Sequence, residues 1–124
     1  MSASEADAVT EIRSKAEFDA LLAAHPLVAL QAHATWCGPC KAISPIFAKL
    51  AAARTPGLAF ARFDSDVVEP LAQELGIRAL PTFVFFRGGD KVDTLTGANP
   101  AALQKAVEKL RAEADAPLST NEDF

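Results

Sequence analysis

The only two cysteines of the chain, Cys37 and Cys40, lie in one short stretch, Trp36-Cys37-Gly38-Pro39-Cys40. Two thiols with only two residues between them cannot cross-link distant parts of a fold. A bridge between them therefore serves chemistry rather than chain constraint. A mostly apolar run, Leu27 to Ala34, leads into the stretch, and Ile43, Ile46, Phe47 and Leu50 come after it at helical spacing. The pair is thus expected where a buried strand hands over to the first turn of a helix. At that position the free N–H groups and the positive dipole end favour a thiolate over a thiol. Cys37, first in the turn, is expected nearer solvent and the better nucleophile, with Cys40 deeper and attacking later. Pro39 fits the first turn because its missing N–H removes no intrahelical bond there.

The elements around this junction are set by periodicity and caps. Ala8 to Ile12 reads as a short strand. Ser14 and Glu17 form a capping-box signature for a helix with Phe18, Leu21 and Leu22 inward, stopped at His25-Pro26. Leu27 to Ala34 is too continuously apolar for a strand with one wet face and reads as a central one covered on both sides. The helix from about Cys37 to Arg54 contains Pro45, which predicts a bend rather than an end because the apolar spacing continues beyond it. After the turn Thr55-Pro56-Gly57 come a strand over Leu58 to Asp64 and a short helix carrying Val68, Leu71, Ala72 and Leu75, with Gly76 as its C-cap. Thr82 to Arg87 is another buried strand. Gly88-Gly89-Asp90 turns it into Lys91 to Thr96, whose poor alternation predicts an edge strand or a bulge. Asn99-Pro100 opens a last helix reaching about Ala114, with Leu103, Val107 and Leu110 inward.

Strands that alternate with helices and are buried on both faces define an α/β class with parallel pairing. With 124 residues, half of them apolar, one domain is expected over residues 8–114, between a flexible N-terminus (1–7) and a flexible C-terminal tail (115–124). The formal charge of −4, with no basic cluster, argues against a nucleic-acid partner. Membrane insertion is disfavoured because the apolar stretches fall far short of about 20 residues. The first nine residues have neither a basic n-region nor an apolar core, and a reducing cytoplasm is the expected compartment. Metal binding is not expected. A tetrahedral zinc needs about four ligands. Beyond the two cysteines the chain offers only His25 and His33, and these read as a helix-end residue and a packed core or rim histidine.

The motifs resemble those of thioredoxins, most nearly the eukaryotic cytosolic ones. The resemblance rests on Trp36-Cys37-Gly38-Pro39-Cys40-Lys41, Pro45 five residues past the second cysteine, Gly76-Ile77-Arg78-Ala79-Leu80-Pro81-Thr82, and Gly97-Ala98 before the last helix. It spans roughly residues 8–112. It implies a thioredoxin fold, a five-stranded mixed β-sheet flanked by four α-helices, with a cis peptide bond before Pro81 facing the cysteines. It implies a protein-disulfide reductase in which Cys37 attacks a substrate disulfide and Cys40 resolves the mixed disulfide. Trp36, Pro39, Leu80, Pro81, Gly97 and Ala98 would form the substrate surface, and Gly38 and Pro39 would tune the dithiol. No cofactor would be bound. The Cys37–Cys40 disulfide would be re-reduced by a thioredoxin reductase at the expense of NADPH, with disulfide-containing client proteins as the other partners of a monomer.

One position departs from the family pattern. A buried aspartate that accepts the proton of the second cysteine is usual six residues before the first; here that residue is Gln31, and an amide cannot act as the base. The usual neighbouring lysine corresponds to Arg62, expected to turn outward or to pair with Asp64 or Asp66. The expected consequence is a slower but not abolished resolving step that relies on water or on Cys37 itself. The alternative is a redox-poor interaction module holding a partner around Trp36 and Pro81, against which the retention of both cysteines and Trp36 argues. An oxidase or isomerase of secreted proteins is disfavoured by the Gly38-Pro39 dipeptide.

Overall fold

The computed structural model describes residue 5 and residues 7–115. Of the two segments expected to be flexible, residues 1–4, 6 and 116–124 lie outside the described residues. Strands β1 (Val9–Ile12), β2 (Leu27–His33), β3 (Leu58–Asp64), β4 (Thr82–Arg87) and β5 (Asp90–Thr96) form one sheet in the order β1-β3-β2-β4-β5. Helices α1 (Lys15–Ala24), α2 (Gly38–Ala52), α3 (Glu69–Glu74) and α4 (Pro100–Asp115) cover it. β1 and β2 run parallel to β3, whereas β4 is antiparallel to both β2 and β5, so the sheet is mixed as expected.

The side-chain period of a strand divides β2 between two cores. Leu27 and Ala29 join Phe60, Phe83 and Phe85 of neighbouring strands under Ile43, Phe47 and Ala51 of α2 and Leu103, Val107 and Leu110 of α4. On the opposite face Val28, Leu30 and Ala32 pack with Ala61, Phe63, Val84 and Phe86 against Phe18 of α1 and Leu71 of α3. Gln31 and His33 continue the phase of Leu27 and Ala29 and therefore point to the α2 face. Gln31 is wholly buried there.

Local chemistry sets the ends of the elements. The Ser14 side chain accepts from Glu17 N–H at 3.1 Å, while the Glu17 carboxylate accepts from Arg13 N–H at 2.8 Å, one residue earlier than in a standard capping box. His25 closes α1 through its N–H to the Leu21 carbonyl. Gly76 lies just past α3, its N–H bonded to the Gln73 carbonyl and the following Ile77 N–H to the Ala72 carbonyl, the paired bonds of a Schellman ending. Asn99 caps α4 by accepting from Ala102 N–H. The register of β4 with β5 shifts between Phe85 and Phe86, so the last strand is both an edge and bulged. Pro45 sits inside α2, which continues to Ala52.

Arg111 of α4, which periodicity did not single out, closes the C-terminal end of α2. Its guanidinium donates to the Leu50 and Ala53 carbonyls and to Thr55 Oγ1, and lies 5.9 Å from the Phe60 ring centroid. These carbonyls have no partner within the helix. Replacing Arg111 with Ala strands them in a partly buried site and is expected to lower stability by about 1–3 kcal/mol, read as a lower urea midpoint at unchanged m-value.

Candidate active site

β2 ends at His33 and α2 begins at Gly38, so the intervening turn carries Trp36 and Cys37 at the C-terminal end of the central strand. Cys37 is the N-cap of α2, with Cys40 N–H donating to its Sγ at 3.1 Å. The sulfur thus takes the place a serine or aspartate oxygen takes at other helix starts, and the same donor would favour a negative charge on it in the reduced protein. The two cysteines are joined in a disulfide across a Cα–Cα distance of 5.3 Å. The expectation that Cys37 is the more solvent-facing of the two is corrected in this oxidised state: the residues are 3% and 2% exposed. Ala34 and Leu80 pack against the pair.

Trp36 is 68% exposed, and its Nε1 donates to Asp66 Oδ2 at 2.7 Å. Asp66 is steadied by its own N–H donating to Asp64 Oδ1. Gly38 and Pro39 are exposed. The Leu80–Pro81 peptide bond is cis, and Thr82 Oγ1 donates back to the Ala79 carbonyl. The Pro81 carbonyl accepts from Gly97 N–H at 2.9 Å, which brings Gly97 and the exposed Ala98 beside it. Gly97 has φ +105°, a conformation that side-chain-bearing residues rarely adopt. Val67, next to Asp66 and 65% exposed, adds an apolar side chain that periodicity did not single out. Its exposure depends on the loop after β3, which leaves no periodic signal.

Arg62 pairs with Glu11 on β1, Nε to Oε1 at 2.6 Å, rather than with Asp64 or Asp66, and its side chain is 41% exposed. The register explains the choice. Glu11 stands directly opposite Arg62 on one side and Gln31 directly opposite it on the other, all on the α2 face. Asp66 accepts from Trp36 Nε1, and Asp64 accepts from Asp66 N–H. Gln31 donates from Nε2 to Ser44 Oγ of α2 at 2.9 Å, whereas among the described residues its Oε1 has no hydrogen-bond partner. His33 Nε2 is likewise unpartnered, with Glu11 Oε2 at 3.6 Å, so the hydrogen-bonded packing expected for this residue is not met at that nitrogen. These groups line a cleft of about 620 Å³ that reaches Cys40.

A disulfide at a helix start beside a cis proline is an arrangement for thiol–disulfide exchange. The thioredoxin family model matches residues 9–109. A thioredoxin of Malassezia sympodialis is 44% identical over 102 residues, covering 80% of this chain and 95% of that protein. Thioredoxin-like protein 1 of Schizosaccharomyces pombe is 43% identical over 107 residues, 86% of this chain but 37% of that longer protein. Among solved structures, the oxidised mitochondrial thioredoxin 3 of Saccharomyces cerevisiae superposes with a TM-score of 0.79 at 34% identity, covering 86% of this chain and 99% of that one. The chain belongs to the thioredoxin family, and its activity is that of a thiol–disulfide oxidoreductase that reduces protein disulfides. The family works without a bound cofactor, through a redox-active disulfide, in exchange with a thioredoxin reductase and disulfide-bearing clients.

Because the Trp36–Asp66 bond is exposed, Asp66→Ala is expected to cost no more than about 1 kcal/mol of stability while freeing the indole. A faster fluorescence anisotropy decay of Trp36, the only tryptophan, checks this.

Proposed function

We propose that residues 8–114 act as a monomeric cytoplasmic protein-disulfide reductase in which Cys37 is the nucleophile and Cys40 resolves. The observation that carries the assignment of roles is the cap: Cys37 Sγ, not Cys40 Sγ, receives an N–H from the first turn of α2. In the reduced protein the Cys37 thiolate attacks one sulfur of a client disulfide and expels the other as a thiolate. Cys40 then attacks Cys37, the client's second sulfur leaves, and the Cys37–Cys40 bond holds the oxidising equivalents. Trp36, Pro39, Leu80, Pro81, Gly97 and Ala98 receive the client as an extended segment, Gly97 permitting close backbone approach. Gly38 and Pro39 hold the two sulfurs at bonding distance by shaping the first turn. The disulfide is returned to the dithiol by a flavin-containing thioredoxin reductase drawing on NADPH.

Gln31 modulates the second step. Buried against Ser44 below the second cysteine, it keeps the space that an acid would occupy but takes no proton. Arg62, turned toward Glu11, is not available to compensate a charge at residue 31.

In an assay coupling NADPH consumption to insulin reduction through a thioredoxin reductase, the chain is expected to turn over and Cys40→Ser to lose that turnover. An inactive wild type whose disulfide dithiothreitol still reduces would overturn the reductase reading. Gln31→Asp is expected to raise the rate of the resolving step several-fold. It is also expected to destabilise the fold by about 1–3 kcal/mol, since a buried carboxylate costs more than an amide and the bond to Ser44 is lost. An unchanged rate removes Gln31 as a modulator.

A further inference from the structure

We propose that Ser44 is a positioning residue for Cys40, its hydrogen bond with Gln31 fastening the cysteine-bearing end of α2 to β2. The proposal rests on the reading of Cys40 as the resolving thiol, and it gives the buried amide at residue 31 a role other than proton transfer. Gln31 is wholly buried, and its Nε2 donates to Ser44 Oγ at 2.9 Å. Among the described residues that is the only hydrogen bond its side chain makes. A buried amide with a single partner depends on that partner for its place. Residues 40, 44 and 47 fall at i, i+4 and i+7 of α2, one stripe of a helix. Cys40 and Phe47 are buried in that stripe, so the half-buried Ser44 stands between them where the helix lies on the sheet.

α2 is weakened at this place. Pro45 has no N–H, so the carbonyl of Lys41, four residues back, loses its intrahelical donor. The turn that carries Cys40 is thereby joined to the rest of the helix by one hydrogen bond fewer than a regular helix supplies. The Gln31–Ser44 bond crosses from strand to helix beside that gap. Cys37 is tied to the same strand separately: its N–H donates at 3.2 Å to the carbonyl of Ala34, the residue after the end of β2. Both cysteines therefore take their positions from one stretch of chain, Gln31 to Ala34.

While the disulfide is closed, it holds the two sulfurs together itself. Once Cys37 is bonded to a client, their spacing depends on the strand and helix that carry them. The Cys40 thiolate must then attack Cys37 Sγ while the client sulfur leaves with the electron pair. Both the rate of that attack and the equilibrium of ring closure rise with the accuracy with which the sulfurs are held in reach. Loosening the Gln31–Ser44 link lowers both. It leaves untouched the first attack, which needs Cys37 alone.

Stopped-flow mixing of the reduced protein with dithiobis(nitrobenzoate) separates the two thiols. Attack by Cys37 releases the first nitrothiophenolate in a phase that scales with reagent concentration, and attack by Cys40 releases the second in a concentration-independent phase. Ser44→Ala is expected to leave the first phase unchanged and to slow the second by about three- to tenfold. The equilibrium constant for closing the disulfide against glutathione is expected to fall by a similar factor. That is a rise of about 15–30 mV in reduction potential, at about 30 mV per tenfold for a two-electron couple. Ser44→Thr, which keeps the hydroxyl, is expected to restore both. Gln31→Leu is expected to match Ser44→Ala, and the double variant to lose no more than either alone. Lowered stability with an unchanged second phase and glutathione equilibrium makes Ser44 merely structural and overturns the proposal, as does a threonine variant as slow as the alanine one or an additive loss in the double variant. A wild type without the concentration-independent phase overturns the reading of Cys40 as the resolving thiol itself.

Discussion

A strand buried on both faces and paired along both edges has one outlet for polar chemistry, its C-terminal end. β2 is such a strand: helices cover it above and below, and β3 and β4 complete its hydrogen bonding. Its apolar side chains leave no freedom of register, because a slip by one residue would exchange the two cores. The turn after β2 is therefore placed with the accuracy of the core. Cys37 inherits that placement and passes it to α2, whose first turn the sulfur caps. The chemistry of the pair depends on the burial of residues several positions before it.

The same constraint explains how the site departs from a pattern built on a buried acid. Residue 31 is in the fully buried row, where an amide can be satisfied in part by Ser44 and an ionised acid would need a dedicated counter-charge. This chain places its carboxylate two strands further out, on β1. Glu11 sits at the sheet edge, where solvent shares the cost of charge, and Arg62 crosses from the middle of the row to meet it.

How much of this was legible in the sequence depends on the range of the interaction. The caps at Ser14 and Asn99, the Gly76 ending and the two-faced burial of Leu27–Ala34 involve residues within a turn or a strand of one another, and all are found. So is the bulged edge, since Val92 and Leu95 already fall out of phase. The fold class came from those elements, and the cis bond at Pro81 from the resemblance. The partner of Arg62 was not legible, because Glu11 is 51 residues away and meets it only through the register of β1 with β3. Arg111 is 61 residues from the Leu50 carbonyl that it binds. Neither leaves a periodic trace. The unpartnered atoms of Gln31 and His33 become visible only once the α2 face is assembled over them.

β1 is four residues long and is paired on one side only. Short edge strands open with less free energy than the global unfolding of a domain. Glu11 is thus mounted on an edge strand, while the cysteines follow the central one. A fluctuation that frays this edge strand would loosen the contacts of Glu11 with Arg62 and His33 before it reached the disulfide.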